Sequence, residues 1–144
     1  GRVGVDVEAI RPLGNLDGLA RTSFAPDEIA ALQEYPAGDE RNRAYFRGWT
    51  RKEALLKALG HGIASLSRIS VDLAAGDGDM LRRIESPGER REEWIVRSLP
   101  ILEGHEAAFA WDRPVRSIRR IELRRLLPGE SPARDVTPGL GPGM

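Results

Sequence analysis

The chain has no cysteine, which excludes a disulfide framework, a thiolate metal site and a cysteine nucleophile, so any covalent chemistry falls to another group. That absence suits the cytosol, and cytoplasmic is the expected location. No apolar run approaches the roughly 20 residues that a membrane helix needs, so no membrane partner is expected. Charge of one sign is lacking too: 22 Lys and Arg face 22 Asp and Glu, for a formal net charge of zero. Such balance argues against bulk capture of nucleic acid or anionic lipid. There is no initiator methionine and no signal-peptide pattern at Gly1, and within five residues the chain already reads as a strand. A segment upstream is therefore expected to be missing. Lysine is the scarcest charged type. Lys52 and Lys57 are the only two, both within "FRGWTRKEALLKALGHG", and every other cation is arginine. The distinction matters because a compact ammonium on a flexible stem suits a phosphate oxygen or a proton-transfer site where a planar guanidinium fork does not fit.

What is present has the composition of one globular domain, 144 residues with 40% hydrophobic and 31% charged side chains. "RVGVDVEAI" alternates Val3, Val5 and Val7 against Gly4, Asp6 and Glu8, the period-2 signature of a strand with one buried face. The valines are expected to be that face. A turn-rich link follows, with a short helical turn expected through Leu16 to Arg21. "APDEIAALQEY" reads as a helix with Pro26 at its first position and Asp27 and Glu28 where the dipole favours acids. Residues 40–59 form the best helix, stopped by Gly60. Tyr45, Trp49, Leu56 and Leu59 make its apolar stripe, while Thr50, Glu53 and Lys57 follow at helical spacing on a neighbouring face.

Strand character returns at 68–73, 79–85, 93–99, 106–111 and 116–123, with hairpin chemistry expected in "AAGDGD", "SPGE" and "LEGH". His61 and His105 read as turn or strand-edge residues. From about Pro128 the chain is rich in Pro and Gly and is expected to be a disordered tail, 128–144, after a domain spanning 1–127. Strand, then helices, then a meander predicts an α+β fold with antiparallel sheet packed on helices.

Two carboxylates at i and i+2 on a strand, Asp6 and Glu8, project from one face about 6.6 Å apart in backbone rise and can converge on one ion. A hard divalent cation, Mg²⁺ or Mn²⁺, takes such ligands and completes its shell with water and substrate phosphate. Glu53 from the helix would add a third carboxylate, with Lys52 and Lys57 to neutralise phosphate charge beside it. The alternative for these residues is a solvated acidic strand face and an ordinary Glu–Lys surface pair.

"VGVDVE" followed about 40 residues later by "WTRKEALLKALG" resembles the signature of the 4′-phosphopantetheinyl transferases, and the D-x-E spacing resembles their Sfp-like class, which serves polyketide and nonribosomal peptide carrier proteins in secondary metabolism. The resemblance implies Mg²⁺-dependent transfer of the phosphopantetheine arm of coenzyme A to a serine of an acyl or peptidyl carrier protein, leaving 3′,5′-adenosine bisphosphate. It implies metal ligation by Asp6, Glu8 and Glu53, phosphate binding by Lys52 and Lys57, and Glu53 or a metal-bound water as the acceptor of the serine proton, with Lys57 stabilising developing charge. Sfp-like enzymes have two similar halves around a shared cleft, and this chain resembles the second half, so either an N-terminal half or self-association is expected to complete the site.

Two rivals stand beside that reading. One is a non-catalytic orphan half-domain that keeps the fold without activity, with a partly exposed apolar surface where the other half would dock. The other takes "RPVRSIRRIELRRL", with six arginines, as a nucleic-acid patch. Its alternation fits an edge strand with solvated arginines better, and the neutral net charge supports that reading, so no nucleic-acid partner is expected.

Overall fold

The computed structural model describes residues 1–61, 63–100 and 102–112. In chain order the elements are β1 (Val3–Ala9), α1 (Leu16–Ser23), α2 (Pro26–Gln33), α3 (Asp39–Leu59), a 3₁₀ helix (Ile63–Arg68), β2 (Ile69–Val71), β3 (Leu81–Ile84), a second 3₁₀ turn (Arg91–Glu93), β4 (Ile95–Ser98) and β5 (His105–Trp111). Strands β1, β5 and β4 form one antiparallel sheet in that order, and β2 and β3 form a second. The fold is α+β, as expected from the sequence. The expected strand at 116–123, the arginine-rich segment that contains it and the expected tail at 128–144 lie outside the described residues.

Local chemistry accounts for the helices. Asn15 caps α1 by accepting from the Gly18 N–H, and Pro26 opens α2 with its φ already set. The 21-residue α3 starts with Asp39 and Glu40 and ends with Lys57, each placed to suit the helix dipole. Gly60 then enters the left-handed region (φ 73°), and the His61 N–H reaches back to the Leu56 carbonyl at 3.0 Å, which stops the helix.

Helix α3 lies on the three-stranded sheet, and the residues beneath it are small. Gly4 meets Ala54 and Ala58 of the helix, its register partner Ala110 and the neighbouring Ala108 lie beside it on β5, and all five residues are buried. A Cβ on Gly4 would stand 2.0 Å from the Ala54 carbonyl oxygen, so backbone meets backbone there. On the β4 side, the wholly buried Arg51 donates to Ser98 Oγ (3.0 Å) and to the Asp72 carbonyl (2.5 Å), and burial brings its pKa down to about 10. At the other end, Arg2 pairs with Glu89 (2.6 Å) and Asp112 (2.9 Å) and covers the ring of the buried Trp94.

Three expectations are corrected. The face of β1 that packs is the Gly4, Asp6 and Glu8 face, while Val3, Val5 and Val7 are 67%, 48% and 46% exposed. The cause is the close approach of α3, which only the glycine-bearing face permits. "SPGE" forms a turn, with the Glu89 N–H bonded to the Ser86 carbonyl, but β3 and β4 belong to different sheets and do not make a hairpin. Thr50 is fully buried and returns its hydroxyl to the Phe46 and Arg47 carbonyls, so it does not share the polar face of Glu53 and Lys57.

Candidate active site

Because β1 passes directly under α3, residues 51 positions apart in sequence come into contact. The period of 2 puts Asp6 and Glu8 on the helix-facing side with Gly4. The i, i+4 spacing of Trp49, Glu53 and Lys57 stacks those three side chains along the adjoining side of α3. Lys57 Nζ donates to Asp6 Oδ1 at 2.7 Å, and Trp49 Nε1 donates to Glu8 Oε1 at 3.3 Å. The Asp6 side chain is buried, while that of Lys57 is 52% exposed. The pair thus sits at a boundary, anion inside and cation at the mouth.

Two carboxylate oxygens in this group, Asp6 Oδ2 and Glu53 Oε1, are buried and accept no hydrogen bond. An orphaned buried acceptor is costly, and its neighbours raise the cost. Burial first, then the Asp6 charge, push the Glu53 carboxyl above the usual carboxylate range, with Glu8 adding to this and Lys57 opposing it. The hydrogen bond to Asp6 holds the Lys57 ammonium above its ordinary value. Among the described residues no three His, Cys, Asp or Glu side chains are arranged to enclose a metal ion as they stand. Asp6 and Glu8 spend one oxygen each on Lys57 and Trp49. The two unpartnered oxygens of Asp6 and Glu53 are nonetheless what a hard cation would satisfy, and they fit such an ion chemically.

Beside Glu8 a cleft of about 300 Å³ opens, walled by Arg11, Leu19, Tyr45, Phe46 and Trp49 among others. Trp49 stacks on Tyr45 (centroids 6.3 Å), which stacks in turn on Phe24 (5.1 Å), so the wall of the cleft is continuous with the core. Trp49 is the residue whose role the sequence left incomplete: it packs, and it also holds Glu8.

Lys52 is not with this group. Its side chain is wholly buried on another side of α3 in an ion pair with Glu28, likewise wholly buried. The Glu28 carboxylate also accepts the Ala25 N–H (2.7 Å) and the Val71 N–H (2.9 Å). Burial pushes Glu28 up and Lys52 down, each toward its neutral form, and their mutual attraction pulls both back. The expectation that Lys52 touches phosphate therefore finds its ammonium in the core. A signal for this exists in the sequence, since Lys52 falls four residues after Gly48 and four before Leu56, within the packed face of α3. His61 follows the helix stop and His105 opens β5, as expected, with His105 opposite Ala9 in the β1–β5 register.

A strand presenting two acids under a helix that adds a third, with an ammonium at the mouth, is the kind of site that handles phosphate esters by charge and position. The class has a counterpart among known proteins. Residues 2–110 match the model of the 4′-phosphopantetheinyl transferase superfamily, and the chain belongs to that superfamily. It is 42% identical over 72 residues to 4′-phosphopantetheinyl transferase HetI of Nostoc sp. (strain PCC 7120), covering 50% of this chain and 30% of that protein. It is 39% identical over 118 residues to the putative 4′-phosphopantetheinyl transferase slr0495 of Synechocystis sp. (strain PCC 6803), and 38% over 114 residues to 4′-phosphopantetheinyl transferase psf-1 of Bacillus pumilus. Those alignments cover 77% and 78% of this chain and 46% of each relative. The chain spans less than half the length of these relatives.

Proposed function

We propose that this chain forms part of an Sfp-like enzyme that transfers the 4′-phosphopantetheine arm of coenzyme A to a serine hydroxyl of an acyl or peptidyl carrier protein. The observation that carries the reading is the convergence of Asp6, Glu8, Glu53 and Lys57 where β1 passes under α3, in a chain of this superfamily. In the reaction the serine oxygen forms a bond to the phosphorus carrying the pantetheine arm, the pyrophosphate bridge breaks, and 3′,5′-adenosine bisphosphate leaves with the bridging oxygen. The serine proton must go to a base. Glu53, whose buried Oε1 has no hydrogen-bond donor, is the carboxylate we assign to accept it. Lys57, half-exposed at the mouth, can meet a phosphate oxygen without leaving solvent.

Asp6, Glu8 and Glu53 would hold Mg²⁺, with Mn²⁺ the alternative. When bound, the ion neutralises pyrophosphate charge and polarises the phosphoryl oxygens. The exposed face of Val3, Val5 and Val7 supports a completed assembly in which a second half-domain or a second copy covers it. A cytoplasmic location accords with a coenzyme A substrate and a chain without cysteine.

A second reading has an observation of its own. The Asp6–Lys57 pair and the Glu8–Trp49 bond close the cluster on itself, as they would in a half-domain that keeps the fold without activity. Incubation with an apo carrier protein, coenzyme A and Mg²⁺ separates the two. Transfer predicts a carrier heavier by one phosphopantetheine group, from this chain alone or with its complementary half. An unmodified carrier in both cases would leave only the non-catalytic reading.

A further inference from the structure

Lys52 and Glu28 form a wholly buried ion pair, at the junction of three elements. One Glu28 oxygen takes the Lys52 ammonium and the Ala25 N–H at the start of α2, and the other takes the Val71 N–H of β2. The ammonium also lies 5.4 Å from the centre of the Phe24 ring. For a phosphate to reach Lys52 it would have to displace this carboxylate and strand Glu28 in the core, which costs more than an exposed phosphate contact returns. The next residue along is Glu53. Successive side chains on a helix diverge by about 100°, so fixing the direction of Lys52 fixes that of Glu53 and, one turn on, Lys57.

We propose that the Glu28–Lys52 pair is an internal tie that sets the rotation of α3 over β1, so that Lys52 is a positioning residue for Glu53 and Lys57 and does not bind the phosphates of coenzyme A. The positioning role rests on the proposed transfer reaction, while the tie itself does not. An alternative rotation of α3 would aim Lys52 at the sheet and Glu53 at α2. The buried pair penalises that state because it satisfies its own charges and two backbone donors in one arrangement only.

The test is a double-mutant cycle in the full chain, with Lys52→Met, Glu28→Gln and the two combined, followed by urea unfolding and by transfer kinetics. Breaking the pair from either side should lower the folding equilibrium constant by about a hundredfold or more. The combined variant should recover at least about tenfold of the summed loss. In kinetics Lys52→Met should lower kcat with KM for coenzyme A unchanged, and adding Glu28→Gln should restore kcat in part, which loss of a phosphate contact would not allow. Additive losses in unfolding would overturn the tie. A rise of about tenfold in KM for coenzyme A, equal in Lys52→Met and in the combined variant, would return Lys52 to the phosphate site. If Lys52→Met does not fold, Glu28→Gln and the combined variant carry the comparison. Should the unaltered protein transfer nothing, the positioning role falls with the proposed reaction, and the unfolding cycle still decides the tie.

Discussion

Replacing Gly4 by alanine tests whether the candidate site depends on β1 and α3 meeting backbone to backbone. The added Cβ would stand 2.0 Å from the Ala54 carbonyl oxygen and 2.6 Å from the Ala58 nitrogen. Both are main-chain atoms of a long helix, so no side chain can swing away. Reaching ordinary van der Waals contact requires strand and helix to part by about 1.4 Å. Overpacking of this kind costs about 1 to 3 kcal/mol, and the rigid partner places Gly4→Ala at the upper end, about 3 kcal/mol. For a core of this size the midpoint of thermal unfolding should fall by roughly 10 °C. Circular dichroism during a thermal scan reads it directly. Gly14→Ala, where a Cβ meets nothing within 4 Å, is the control and should stay within about 0.5 kcal/mol of the parent. A Gly4→Ala protein that melts within about 2 °C of the parent would refute the close packing on which the geometry of Asp6 and Glu53 rests.

Other outcomes follow from the same contacts. Asp6→Asn and Glu53→Gln should each reduce carrier-protein modification by about a thousandfold or more with the fold intact by circular dichroism, and near-parent rates in either would sink the site assignment. Arg2 holds Glu89 and Asp112 below the usual carboxylate range by hydrogen bonds. Because these pKa values are depressed, their stabilisation is complete above the unfolded-state values near 4 and is lost as pH falls through the lower folded-state values. Arg2→Met should therefore destabilise more at pH 6 than at about pH 3, and an equal loss by urea unfolding at both would contradict the pairing. If a second half-domain or a second copy covers the exposed side of β1, Val5→Ser should leave stability within about 0.5 kcal/mol yet weaken that assembly in sedimentation velocity. Unchanged assembly would place the partner elsewhere.

The helices were legible because their boundaries are written in local chemistry. Pro26 starts one and Gly60 stops another, and both act through their own backbone geometry. The acids of β1 and the Glu53–Lys57 face were legible as a motif, and the structure brings Lys57 to Asp6. What could not be read was which side of β1 packs. Alternating valines suggest a buried valine face, but the deciding fact is that α3 approaches so closely that only a face with Gly4 can receive it. The burial of Lys52 was hidden for a related reason. Its partner Glu28 lies 24 residues away in the chain, and a buried pair between two helices leaves no periodic mark. Its position inside the packed face of α3, beside Leu55 and Leu56, was the available sign. The meander expected from hairpin-like turns became two sheets because the chain between β3 and β4 takes a 3₁₀ turn that anchors Trp94 in the core.

The proposed reaction requires Asp6, Glu53 and Lys57 to act together on the pyrophosphate of coenzyme A. Calorimetric titration of coenzyme A into the full protein, with and without Mg²⁺, tests it most directly when repeated on Glu53→Gln. Mg²⁺ should tighten binding in the parent, and Glu53→Gln should lose most of that gain. An identical Mg²⁺ effect in both proteins would contradict it.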